Sequence, residues 1–230
     1  MNKKKFFSIV MCIALCIGVM TACGSSSGSG SSKAASSASE SAGSSQQASA
    51  PEGNKLKEFS SDELLSGKHH VQMEIKDHGT VTIELDADQA PVTVTNFVDL
   101  AKQGFYNGTT FHRIIPGQFV QGGDPEGNGT GTAGYNIKGE FSANGVNNTL
   151  SHTRGAISMA RTSDYNGGSC QFFIMDADYT AFDGQYACFG YVTDGMDVID
   201  DICSNTRVQD QNGMVAKADQ PVISNISVID

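Results

Sequence analysis

The run Phe111-His112-Arg113-Ile114-Ile115-Pro116-Gly117-Gln118-Phe119-Val120-Gln121-Gly122-Gly123-Asp124 sets an arginine, Arg113, and a glutamine, Gln121, among apolar residues that read as barrel strands. Cations seldom enter such runs without a task. A second stretch, Ser158-Met159-Ala160-Arg161, is followed ten residues later by Gln171-Phe172-Phe173-Ile174. Side chains two apart on a strand share a face, so Phe119 with Gln121, and Gln171 with Phe173, each present one ring and one amide together. That pairing suits a peptide groove in which the ring receives a prolyl side chain and the amide holds backbone. It suits equally well two core strands with satisfied glutamines. Arg113 favours the groove. Rotating an X-Pro bond breaks amide resonance, with a barrier of roughly 18–20 kcal/mol, and leaves a localised lone pair on the prolyl nitrogen. A guanidinium donating to that lone pair binds the twisted amide better than either planar isomer, and only such differential binding accelerates a step. Lysine, a strongly hydrated point charge, would serve less well than the planar fork of arginine.

These residues need a framework, and the periodicities supply one. His70–Ile75 and Thr80–Leu85 alternate around Asp77-His78-Gly79, a hairpin pattern that puts Val81, Ile83 and Leu85 on one buried face. Pro91 opens a helical segment over Val92–Gln103, with Val94, Phe97, Val98 and Ala101 in phase and Gly104 as its stop. A second helix is expected over Met196–Cys203, with Met196, Ile199 and Ile202 on one side. Elsewhere short β-prone runs alternate with Gly-rich turns. Many short strands and no βαβ rhythm favour an antiparallel barrel over a parallel sheet.

The N-terminus reads differently. Lys3, Lys4 and Lys5 precede an apolar run, Phe6–Met20, too short to span a bilayer comfortably, which marks residues 1–22 as a signal peptide. Met20-Thr21-Ala22-Cys23 looks like a bacterial lipobox without its usual leucine; the alternative is an ordinary secretory cleavage site with an incidental cysteine. In the lipobox reading Cys23 carries the acyl chains that anchor the mature protein to the extracytoplasmic face of the cell membrane. Residues 24–50 are Ser, Gly and Ala without aromatic or β-branched residues, so residues 23–67 are expected to form a lipidated, disordered tether. As a flexible coil it would reach roughly 35–40 Å. Residues 68–230 then form one domain with a full core. The chain carries 15 basic and 25 acidic residues, net charge −10; without the three signal-peptide lysines it becomes −13, which argues against nucleic acid and anionic lipid as partners. Cys170, Cys188 and Cys203 remain in the domain, an odd number that favours buried free thiols over a disulfide framework.

Other apparent motifs weaken on inspection. Gly129-Thr130-Gly131-Thr132-Ala133-Gly134 matches a dinucleotide fingerprint in letters but lacks the flanking strand and helix, and reads as a Gly-rich loop. His69, His70, His78, His112 and His152 show no metal-ligand spacing, and His112 should face away from Arg113. Asp176-Ala177-Asp178 lacks the glycine and terminal glutamate of a calcium loop.

The Phe111–Asp124, Ser158–Arg161 and Gln171–Ile174 segments together resemble the signature of the cyclophilins, the peptidyl-prolyl cis-trans isomerases, and the similarity runs from about Val71 to the C-terminus. The resemblance implies a mainly β fold, a closed eight-stranded antiparallel barrel capped by two helices, with neither cofactor nor metal. It assigns transition-state stabilisation to Arg113 and the substrate groove to Phe119, Gln121, Ala160, Gln171, Phe173, Phe182 and Tyr186, with Arg161 nearby. Gln118 stands where a phenylalanine is common, Ala181 where cyclosporin-sensitive members carry tryptophan, Phe182 where they carry leucine, Tyr186 where they carry histidine, and Arg161 in place of an asparagine. The expected protein is a monomeric, membrane-tethered isomerase acting on proline-containing polypeptides outside the cytoplasm and assisting their folding. The competing reading is a chaperone or scaffold on the same fold that holds proline peptides without turning them over. Arg113 separates the two, since a pure binder needs no donor aimed at the prolyl nitrogen.

Overall fold

The computed structural model describes residues 54–230; the signal peptide, Cys23 and the greater part of the tether lie outside the described residues. Eight strands, β1 (Lys68–Ile75), β2 (Gly79–Asp86), β3 (Arg113–Ile115), β4 (Phe119–Gly122), β5 (Ala156–Arg161), β6 (Gly168–Met175), β7 (Ala187–Asp194) and β8 (Ile223–Val228), form one sheet. Two α-helices, α1 (Pro91–Lys102) and α2 (Met196–Asn205), complete the framework. The strand order is β3-β4-β6-β5-β7-β2-β1-β8, every pair antiparallel.

The hairpin expected around Asp77-His78-Gly79 is β1–β2, with Val71 opposite Ile83 and Ile75 opposite Gly79. Its alternation buries Val71, Met73, Val81, Ile83 and Leu85 completely. Asp77 turns the chain at φ 64°, a left-handed conformation that Asp tolerates better than most residues. Pro91 starts α1, where its missing N–H costs nothing. No neighbouring side chain caps this helix; the buried carboxylate of Glu140 accepts instead from the backbone N–H of Val92 (2.9 Å) and Thr93 (2.8 Å) and from the Thr93 hydroxyl (2.7 Å). Val94, Phe97, Val98 and Ala101 are buried as their spacing requires, and Phe97 packs on Tyr106, Phe172 and Phe189 at ring-centroid distances of 5.0–5.5 Å. In α2, Val198, Ile199 and Ile202 turn inward.

The barrel is not closed as expected. β3 and β8 end the ladder and do not pair with each other as strands. A single bridge, Thr110 to Val222, joins their flanks, with Phe111 N–H donating to Pro221 O (2.9 Å) and Ile223 N–H to Thr109 O (2.8 Å). Two causes are local. Pro116 and Gly117 (φ 76°) turn the chain after three residues of β3. The free edge of β3 is then taken by the loop before β8: Ile114 N–H donates to Gly213 O (2.7 Å) and Val215 N–H to His112 O (2.9 Å). The result is an open half-barrel with two helices.

The disordered tether was expected to extend through residue 67, whereas from Asn54 onward the chain lies on the domain. Leu56 bridges Asn136 in parallel sense, Lys57 N–H donates to Asn136 O (2.7 Å), and Phe59 and Leu65 pack against the core. Lys57 sits between two rings, 4.4 Å from the centroid of Phe59 and 4.7 Å from that of Tyr135. Cys170, Cys188 and Cys203 are buried free thiols, the first two completely, and burial pushes each up to about 12.

Candidate functional site

Strand parity divides the sheet into two apolar clusters. Ile114, Val120, Phe172 and Ile174 point into the main core with α1. Their neighbours point the other way, where Phe119, Phe173 and Met175 form a smaller cluster against which Ala160, Phe182 and Tyr186 pack. This outer face floors a groove of about 380 Å³ lined by Arg113, Gln118, Phe119, Gln121, Ala160, Arg161, Phe173, Tyr179, Phe182 and Tyr186.

Arg113 opens β3, directly opposite Gln121 on β4. Its Nη1 donates to Gln121 Oε1 (3.2 Å), its Nε to Asn212 O (2.8 Å), and its guanidinium carbon lies 5.0 Å from the centroid of Phe119. Burial holds its pKa below the ordinary arginine value, while Tyr186 and Asp210 act the other way. Asp210 also builds the turn that offers the Asn212 carbonyl, accepting from the N–H of Asn212 (2.9 Å) and Met214 (3.1 Å). Gln121 passes the order on: its Nε2 donates to Gln171 Oε1 (3.1 Å), and Gln171 Nε2 donates to Gly129 O (3.1 Å) and Gly131 O (2.9 Å). The Gly-rich loop, discounted as a nucleotide site, therefore fixes which way both amides face. Gln171 is not among the lining residues but holds Gln121, so of the nine groove and catalytic residues expected from the sequence the structure brings eight to one lining.

The apolar floor is a connected aromatic set. Phe119 lies 5.4 Å from Phe173 and 6.2 Å from Phe182, and Tyr186 lies 5.5 Å from Phe173 and 5.0 Å from Phe182, centroid to centroid. Arg161 closes one end, donating through Nε to Gln185 O (3.0 Å) and through Nη1 to Thr162 O (2.9 Å). Two further residues line the groove. Tyr179 packs edge-on against Phe182 at 4.7 Å across the short turn Thr180–Phe182, and its three-residue spacing from Phe182 was the available signal. Gln118 would oppose Phe119 on a regular strand, but β4 starts only at Phe119; Gln118 sits in the Pro116-Gly117 turn, its N–H donating to Ile115 O (2.9 Å), and its side chain reaches the groove.

Behind Phe173 lies a fully buried His152, its Nδ1 2.8 Å from Asp183 Oδ1 and its Nε2 3.0 Å from Ser158 Oγ. The order Ser-His-Asp has the form of a nucleophilic triad. Ser158 is, however, fully buried and paired across the ladder with Phe173, so no carbonyl can approach its hydroxyl. The set instead backs the groove: the His152 ring stacks on Phe173 at 6.0 Å and 18°. Burial holds the His152 pKa below the ordinary histidine value against the upward pull of Asp183. His112, facing away from Arg113 as expected, is also buried, and neither ring nitrogen has a hydrogen-bond partner. Among the described residues no group of three or more His, Cys, Asp or Glu side chains is arranged to hold a metal ion.

Residues 70–228 match the family model described as cyclophilin type peptidyl-prolyl cis-trans isomerase/CLD. A peptidyl-prolyl cis-trans isomerase of Helicobacter pylori is 46% identical over 126 residues, 54% of this chain and 74% of the relative. Peptidyl-prolyl cis-trans isomerase B of Bacillus subtilis is 45% identical over 123 residues, 54% of this chain and 82% of the relative. A crystal structure of a Cryptosporidium parvum cyclophilin type peptidyl-prolyl cis-trans isomerase, obtained in the presence of the dipeptide Ala-Pro, superimposes with a TM-score of 0.62 at 28% identity, covering 70% of this chain and 99% of that one.

Proposed function

The chain belongs to the cyclophilin-type peptidyl-prolyl cis-trans isomerases, and we propose that it turns X-Pro bonds through Arg113 in the groove of β3, β4, β5 and β6. The carrying observation is the fixation of that guanidinium above Phe119 by one backbone carbonyl and one side-chain amide. With a prolyl ring on Phe119 and Phe173, the N–H groups of Arg113 not spent on Asn212 and Gln121 face the prolyl amide. As the bond twists, the nitrogen becomes pyramidal and its lone pair accepts from the guanidinium. The planar isomers offer no such acceptor, because resonance commits the lone pair to the carbonyl. The stabilisation thus appears only at the top of the barrier. No bond to the protein forms and no proton need leave, so the neutral amides of Gln121 and Gln171 serve to aim the cation.

The test is a protease-coupled assay on a proline tetrapeptide. Arg113→Ala should lose about a hundredfold or more in kcat/KM, the range for removing a transition-state donor, and Arg113→Lys should not restore it. A folded Arg113→Ala variant within threefold of the parent would remove Arg113 from the mechanism and favour a module that binds proline peptides without turnover.

The clients, in this reading, are exported polypeptides. Lys3–Lys5, the short apolar run and Cys23 support delivery across a membrane and acyl anchoring at Cys23. X-Pro isomerisation takes tens of seconds or more uncatalysed, long enough to leave an exported chain exposed. A Cys23→Ala precursor should carry no acyl label in cells fed a labelled fatty acid; labelling equal to that of the parent would refute the anchor.

A further inference from the structure

We infer that the groove selects proline segments that carry a carboxylate beside the proline, and that Arg161 is the side chain that reads it. The inference rests on the groove reading above and concerns its substrate class. The groove lining contains two cations, Arg113 and Arg161, and no acidic residue. The smaller hollow that shares Arg161 adds Lys138, again without an acidic residue. Neither arginine nor Lys138 forms an ion pair among the described residues, whereas Arg154 and Lys68 do. In a chain of net charge −10 this is a local reversal of sign.

Arg161 is also held for the purpose. Its two protein acceptors, Gln185 O and Thr162 O, are neutral carbonyls, which orient the guanidinium without neutralising it. Three rings fix its plane, with the guanidinium carbon 4.8 Å from the centroid of Tyr186, 5.1 Å from Tyr165 and 5.2 Å from Phe141. A cation immobilised before binding loses little rotamer freedom when a partner arrives. The planar fork matches a carboxylate, and Nη2 donates to no protein acceptor among the described residues. Arg113 lies over Phe119, Phe119 touches Phe173, Phe173 touches Tyr186, and Tyr186 lies under Arg161. A proline on Phe119 and Phe173, with its amide at Arg113, leaves Arg161 at the other end of the aromatic row, where a neighbouring residue of the same peptide would lie. A brace for the Gln185 turn would need the two carbonyl contacts but would not need the surrounding groove to be free of carboxylates.

The experiment uses the whole chain in mild detergent and a set of proline tetrapeptides with Glu, Gln or Lys at each place on either side of the proline. At one place at least, the Glu peptide should exceed the Gln peptide by about fivefold in kcat/KM, as a partly exposed ion pair allows, and the Lys peptide should fall below both. In 1 M salt, where the Debye length is about 3 Å, the ratio should shrink toward one. Arg161→Gln should bring the Glu-to-Gln ratio near one, and Arg161→Lys should keep part of it. Equal kcat/KM for Glu and Gln peptides at every place, or a preference that survives Arg161→Gln, overturns the inference. Calorimetric binding of the same peptides to Arg113→Ala reads the charge preference without turnover, so failure of the isomerase mechanism and failure of the charge selection are told apart.

Discussion

Replacing Gln121 by leucine should cost the enzyme most of its rate while leaving its fold in place. Leucine is close in volume, apolar and compatible with β4, so the Phe119 and Phe173 floor keeps its shape. What disappears is the acceptor for Arg113 Nη1 (3.2 Å) and the donor to Gln171 Oε1 (3.1 Å). A hydrogen bond to a charged group contributes about 1.5–3 kcal/mol. At 3.2 Å and with Arg113 only half-buried, the lower end applies. The guanidinium is then tied by Asn212 O alone and can swing about that contact. Misaiming a transition-state donor by about 1.4–2 kcal/mol is a loss of about ten- to thirtyfold. The loss should fall mainly on kcat, since the prolyl ring still finds its aromatic floor, and KM should rise by a smaller factor because one Gln121 amide hydrogen remains free to meet a peptide carbonyl in the parent. Full progress curves over a range of peptide concentrations separate the two, and denaturant melts show whether the fold has survived. A loss below twofold, or one confined to KM, would show that Gln121 does not aim Arg113.

Acid should destabilise the domain before its carboxylates titrate. His112 and His152 are both buried with pKa values lowered chiefly by burial, so below about pH 6.5 the unfolded chain binds protons that the folded one refuses; stability is full above that value and falls as pH drops through the folded pKa values. Urea midpoints should decline between pH 7.5 and 5, and His112→Leu, which removes a ring with no hydrogen-bond partner to lose, should flatten part of the slope; a midpoint independent of pH would refute both assignments. Gln118→Phe should lower KM for proline peptides by a few fold with kcat nearly constant, because burying part of a ring contributes at most about 1–2 kcal/mol; an unchanged KM would mean that the side chain makes no contact with bound peptide despite lining the groove.

What the sequence made legible followed from periodicity. The β1–β2 hairpin, both helices and the split between inward Val120 and Phe172 and outward Phe119 and Phe173 are short-range consequences of spacing two or spacing 3.6, and the structure keeps each of them. The site residues could be collected because strands separated by fifty residues expose the same face once their parity is known. What stayed hidden depends on contacts that no local pattern encodes. Glu140 caps a helix nearly fifty residues away, and Asn212 contributes only its carbonyl, so its side-chain type carried no message. At Gln118 a turn suspends parity for one residue, and the open seam arises because Gly213–Val215 occupies the edge that β8 would have needed for closure. The Gly-rich loop acts through the carbonyls of Gly129 and Gly131, which hold Gln171, and through it Gln121 and Arg113, and no side-chain pattern encodes a backbone carbonyl. Residues 54–57 in turn lie along the far end of that loop at Thr132 and Asn136, so the end of the expected tether and the expected catalytic arginine are joined by one continuous set of hydrogen bonds and backbone, a connection that exists only in three dimensions.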